Sequence, residues 1–157
     1  MRRYVAYFKY VIRHKWYVFW AGLALDCNIW RLLLHDISKF LPSEFIPYAR
    51  CFYQSNGQPQ YNDSPSFDMA WNAHQNRNRH HWQYHILIED SGRILTQPIP
   101  EPYLQEMVAD WIGAGRAVGN LTGARVWYER NKKVIQLHPQ TRLRVEYLLL
   151  RAEAVNA

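Results

Sequence analysis

The amino-acid sequence predicts an all-α fold, a compact helical bundle with a short β-hairpin near residues 85–96. Three observations carry this reading. Apolar residues recur at three- and four-residue spacing along most of the chain. Proline stands where such runs begin, at Pro42, Pro102 and Pro139. Ile86 to Ile88 and Arg93 to Leu95 flank the turn residues Asp90-Ser91-Gly92, which is hairpin chemistry.

The elements follow in order. A first helix spans roughly Arg3 to Trp20 and puts Tyr4, Tyr7, Phe8, Val11 and Ile12 on one side. A second, from about Ile29 to Asp36, turns Ile29, Leu32 and Leu33 inward. Pro42 and Ser43 mark a break, with Ser43 as N-cap and Glu44 in the first turn of a helix carrying Phe45, Tyr48, Ala49 and Phe52. Ser55 to Ser66 holds Asn56-Gly57, Pro59, Asn62-Asp63 and Pro65, and reads as a loop. Helix resumes near Phe67 and runs to about Trp82. After the hairpin, Pro98 and Pro100 stiffen the chain, and Pro102 sits in the first turn of a helix reaching about Val118. A shorter helix follows around Ala124 to Lys133. Pro139 opens the last, through Ala152, with Leu143, Tyr147, Leu148 and Leu150 inward. There is no internal repeat and no visible boundary, so residues 1–157 read as one domain.

Composition narrows the function classes. The chain is 48% hydrophobic and contains 7 Trp and 11 Tyr, enough for a core with aromatics left to wall a pocket. Cys27 and Cys51 form no CxxC motif and are too few for a disulfide framework, which fits a reducing, cytoplasmic setting. The net charge of +6 favours anionic partners. No long Lys/Arg tract is present, so nucleic acid is open but not favoured. Lys9, Arg13, His14 and Lys15 interrupt the N-terminal apolar run too early for a signal peptide. Trp16 to Leu25 is apolar but only about half the ~20 residues a membrane span needs, so no stable membrane insertion is expected. An amphipathic surface helix and a homo-oligomer both stay open.

Six of the seven histidines lie between His14 and His85. The adjacent pair His35-Asp36 ends an apolar helix, where burial without a partner is costly. A metal ion removes that cost, because neutral imidazole donates a nitrogen and a carboxylate brings charge and bridges ions. Lys39 follows Asp36 within one turn and is a candidate for a substrate phosphate. If residues 70–82 are one helix, His81 faces the same way as His74, with Arg77 and Asn78 between them, and His80 points away. His80 takes over from His81 if that helix breaks. Asp110 stands among apolar neighbours and wants a partner. Glu106, one turn earlier, is placed to orient a ligand, activate water or bind a second ion. Gly113 and Gly115 allow close backbone approach, and Arg116 is a further phosphate candidate. The bland alternatives are a helix-end His beside a capping Asp, solvated charges at Lys39 and Arg77, and an ordinary ion pair for Asp110. His85 and His138 carry no supporting pattern.

The order His14, His35-Asp36, His74, His80-His81, Asp110 resembles the HD superfamily of metal-dependent phosphohydrolases. His-Asp-Ile-Ser-Lys is similar to the His-Asp-x-Gly-Lys motif of its two-metal members, with Ser38 where Gly is usual. Through HDxSKFxPxEF, NxHHW and ADWxGAGR the chain also looks like small uncharacterised HD-like proteins of bacteria and phages. The resemblance implies an HD-like bundle and one or two divalent transition-metal ions (Mn, Fe, Co, Ni or Zn). One ion would take His14, His35, Asp36 and Asp110. A second would share Asp36 and take His74 with His81 or His80. The implied reaction is hydrolysis of a phosphate ester, a phosphomonoester or phosphodiester, with a nucleotide as plausible substrate. Asp36, Lys39 and Glu106 would serve catalysis. Lys39, Arg77, Asn78 and Arg116 would hold the phosphate, and Trp71 or Trp82 would stack on a base. Two other readings stand beside it. Some HD-like proteins with a similar ligand set hold two irons and are oxygenases. A non-catalytic module binding a nucleotide, nucleic acid or protein, with metal only for structure, is the third.

Overall fold

The computed structural model describes residues 1–120 and 123–155. It is all-α apart from one hairpin. The helices are α1 (Arg2–Ala24), α2 (Ile29–Leu34), α3 (Pro42–Phe52), α4 (Pro65–Arg77), α5 (Glu101–Ala117), α6 (Gly123–Asn131) and α7 (Pro139–Val155). Strands β1 (Ile86–Ile88) and β2 (Ile94–Thr96) pair antiparallel, Leu87 opposite Leu95, one residue later on the second strand than the sequence predicts.

The long α1 is the axis of the molecule, about 34 Å of helix. Its N-terminal half sends Tyr7 and Val11 into a core with Tyr48, Ala49 and Cys51 of α3 and Phe67 and Ala70 of α4. Its C-terminal half sends Val18 and Ala21 into a larger core with Leu32, Leu104, Met107, Val108, Leu148 and their neighbours on α5, α6 and α7. His14 lies on the buried face between the two sets.

The closest helix pair is α1 with α5, and glycine explains it. A Cβ on Gly113 would lie 2.4 Å from Val18 Cγ2 and 2.7 Å from the Val18 backbone nitrogen. Backbone cannot move aside as a side chain can, so only glycine permits this approach. Gly115 has no such role, since its nearest foreign atom would be Asn120 Cβ at 4.0 Å.

Several predicted boundaries and faces shift. Helix α1 extends to Ala24, and Phe8 and Ile12 lie about half exposed rather than inward. In α2 only Leu32 is buried, while Ile29 and Leu33 face out. Leu41, not Ser43, occupies the N-cap of α3, because Pro42 takes the first helical position. Helix α4 begins at Pro65, with the Ser64 hydroxyl accepting from the Phe67 amide at 3.3 Å. It ends at Arg77, well short of Trp82. In α7 the buried face is Val145, Leu148, Leu149 and Ala152, while Leu143, Tyr147 and Leu150 are exposed.

Candidate metal centre

Two breaks in helical geometry build the site. Helix α2 stops at Leu34, His35 turns extended, and Asp36 adopts a left-handed backbone with φ of 53° before a 3-10 turn, Ile37–Phe40. Aspartate is among the few non-glycine residues that tolerate this region. On a helix, neighbouring side chains diverge by about 100°. The break lets His35 and Asp36 converge instead. Lys15, next to His14 on α1, fixes the break by donating its ammonium to the Leu33 carbonyl at 3.2 Å and to the His35 carbonyl.

The second break follows α4. Asn78 caps the helix end, its side-chain amide donating to the His74 carbonyl at 2.9 Å. His80 and His81 therefore sit on a turn rather than on the helix. The one-helix geometry, with His80 pointing away, does not hold. Both rings turn inward beside His74.

Four donors from three segments, His14 on α1, His35 and Asp36 after α2, and Asp110 on α5, form one pocket. Asp36, His74, His80 and His81 form a second. All seven residues are buried. The two oxygens of Asp36 divide between the pockets. Oδ2 lies 3.4 Å from His14 Nε2 and 3.3 Å from His35 Nε2, while Oδ1 lies 3.3 Å from His74 Nε2 and 3.4 Å from His80 Nε2. Asp110 Oδ1 completes the first set at 3.1 Å from His14 Nε2 and 3.4 Å from His35 Nε2.

These separations fit a shared cation better than direct pairing. Donors about 2.1 Å from one ion stand about 3.0–3.4 Å apart in octahedral or tetrahedral shells. Asp36 Oδ1, Asp110 Oδ1 and the Nε2 atoms of His74, His80 and His81 are buried without a hydrogen-bond partner among the described residues. Such groups lying close yet not bonded point their lone pairs at a common centre, and burying them unsatisfied is costly. The clusters therefore have the geometry and chemistry to hold a metal ion.

Two buried glutamates stand behind the imidazoles. Glu106 Oε1 lies 3.0 Å from His35 Nδ1 and 3.3 Å from His80 Nδ1. Glu44 Oε2 lies 2.8 Å from His74 Nδ1 and accepts from the Ser38 hydroxyl at 2.9 Å. Carboxylates in these positions fix the Nδ1–H tautomer and free Nε2 for ligation. Glu106 faces the Nδ1 side of both rings, and with His35 and His80 it forms a third buried group of donors that could hold a metal ion. The sequence marks Glu44 only as a first-turn acid. No local signal marks its contact with His74, thirty residues away.

Charge is tightly balanced. Burial opposes ionisation of Asp36, Asp110 and Glu106. Surrounding histidines, with Lys39 at Asp36, outweigh it and hold Asp36 and Asp110 well below the usual carboxylate range and Glu106 at about 2. Burial likewise disfavours the cationic form of His35, but Asp36, Asp110 and Glu106 push its pKa well above the ordinary value. His80 is raised by Asp36 and Glu106 against burial and the His35 charge. His81 is driven well down by burial and by His80.

The expected substrate residues lie in different surroundings. Lys39 is buried, its ammonium 2.5 Å from Asp36 Oδ2. Arg77 is exposed and donates to Glu44. Asn78 is a helix cap whose amide also reaches the Ser38 hydroxyl at 3.2 Å. Trp71 stacks on His74 at 5.7 Å and meets the His81 ring edge-on at 5.3 Å, so it braces both imidazoles. Trp82 packs against the larger core instead of the pockets. Arg116 lines a groove of about 510 Å³ with Tyr10, Trp111 and Trp127. Tyr10 links that groove to the centre, because its ring stacks on His14 at 6.0 Å. His85 bonds the Arg79 carbonyl, and His138 accepts from the Gln140 amide; neither joins the cluster.

Fold and site together define an all-helical protein with a buried histidine–carboxylate centre suited to metal. Residues 3–151 match the family of unknown function DUF5662, and the chain belongs to that family. No curated protein and no solved structure matches it.

Proposed function

We propose that this protein is a metal-dependent phosphohydrolase of the HD type, acting on a phosphate ester such as a nucleotide through two divalent transition-metal ions. The observation that carries the reading is the division of Asp36, one oxygen to each pocket. His14, His35, Asp36 and Asp110 would hold one ion, and Asp36, His74, His80 and His81 the other. Ions so held would supply an activated water and a Lewis acid for the phosphoryl group. Mixed imidazole and carboxylate donors suit Mn, Fe, Co, Ni or Zn.

The chain's own residues do the rest. Glu106 and Glu44 lock the ligand rings. Lys39 neutralises Asp36 Oδ2 and becomes available to a phosphate once that oxygen is neutralised otherwise. The groove from Tyr10 past Trp111 and Arg116 offers aromatic faces and a guanidinium for the remainder of a substrate. The test is turnover of a panel of phosphomonoesters and phosphodiesters by metal-supplemented protein and by Asp36→Ala. Activity in the first and none in the second is expected; equal activity in both overturns the proposal.

One observation favours a second reading. The pocket of His74, His80 and His81 is rich in nitrogen, which also suits a diiron oxygenase. Iron in protein purified without added metal, with oxygen consumption in place of phosphatase turnover, would select it.

A further inference from the structure

The face of α1 turned away from the bundle interleaves exposed apolar and basic side chains. Val5, Ile12, Trp16, Trp20 and Leu23 follow one another at helical spacing and are all exposed, Trp16 at 60%. The patch continues onto the next segment, where Trp30 is 69% exposed and Leu33, Leu34 and Ile37 also face out. The two parts are joined. Phe8 meets Phe40 at 6.0 Å, and Lys15 bonds the Leu33 carbonyl. Isolated exposed apolar residues are ordinary, but so many large ones gathered on α1 and the adjoining segment point to a docking surface.

Charge says what it docks to. Helix α1 contains no acidic residue, and exposed Arg2, Lys9 and Arg13 lie on the same outward side as these apolar residues. The two acids before Glu44 are both neutralised: Asp26 pairs with Arg151 at 2.7 Å, and Asp36 is buried in the centre. A two-fold contact between copies would bring this basic, acid-free surface against itself. Exposed Trp beside Lys and Arg, on a helix too polar to span, is the composition of an interfacial helix.

We propose that the outer face of α1, with α2 beside it, seats the protein on an anionic lipid bilayer without crossing it. The test is co-sedimentation of the full chain with phosphatidylcholine vesicles, with and without about one-third phosphatidylserine. Binding to the anionic vesicles only, weakened by salt, is expected. Lys9→Gln with Arg13→Gln should weaken it about 30-fold. Trp16→Ser with Trp20→Ser should abolish it. If the Trp variant fails to fold, judged by helical circular dichroism, the Lys9/Arg13 variant decides alone. Equal sedimentation with both vesicle types, or none, overturns the proposal. So does a dimer in solution that the Trp variant dissociates, which would make the face an interface between copies.

Discussion

Asp36 carries more than any other residue, because its two oxygens serve different pockets and its backbone is left-handed. Asp36→Asn keeps a residue that tolerates that backbone but removes the charge. Elemental analysis of this variant should find both ions lost and the helical content kept. The two glutamates give finer predictions. Glu44→Gln weakens the hold on His74 alone, so one metal equivalent should bind about 10–100-fold less tightly and the other unchanged. Glu106→Gln touches His35 and His80, one from each pocket, so both equivalents should weaken. Metal titration by calorimetry separates the two patterns; identical effects of both variants would refute the assignment.

At the scale of the element, the contact of α1 with α5 sets how His14 meets Asp110, 3.1 Å away. Gly113→Ala presses a methyl group on the Val18 backbone, so it should destabilise by about 1–3 kcal/mol in chemical denaturation and reduce metal content. Gly115→Ala meets open space on a helix and should be neutral or stabilise by up to about 1 kcal/mol. The sequence displayed the helices well, since Pro42, Pro102 and Pro139 mark their starts and the apolar spacing marks their course. It displayed the clustering donor types too, because a buried His-Asp pair is costly without a partner. It hid the break after Arg77, where no Gly or Pro announces the end and the stop rests on an Asn78 side chain folding back. It also hid which faces are outward, because α1 and α7 carry apolar residues on more than one face and periodicity cannot choose between them. Glu44 was illegible as a partner because its contact with His74 spans the whole of α3 and the following loop.

For the whole molecule, the buried charges make stability depend on pH in a definite way. His35 and His80 are raised above 6.5, so what they contribute to the metal-free protein is complete below that pH and is lost as pH rises through their folded values. Asp36, Asp110 and Glu106 are depressed, so their contribution is present above about 4.5 and is lost as pH falls through the folded values, about 2 for Glu106. Metal-free protein should therefore show a Tm that declines above neutrality as well as in acid. Metal-loaded protein should lose the alkaline decline, because ligation replaces the histidine protons. Thermal melts across pH, with and without chelator, check this; parallel curves would count against metal at these residues.

The centre sits where two separate hydrophobic cores meet, and its donors come from both sides of that seam. An ion held there would work as a rivet. A cell starved of it would make chains with their helices formed and their halves loosely hinged, which proteolytic quality control would clear. How much of this protein a cell keeps should then follow the supply of the ion, whatever the protein's activity.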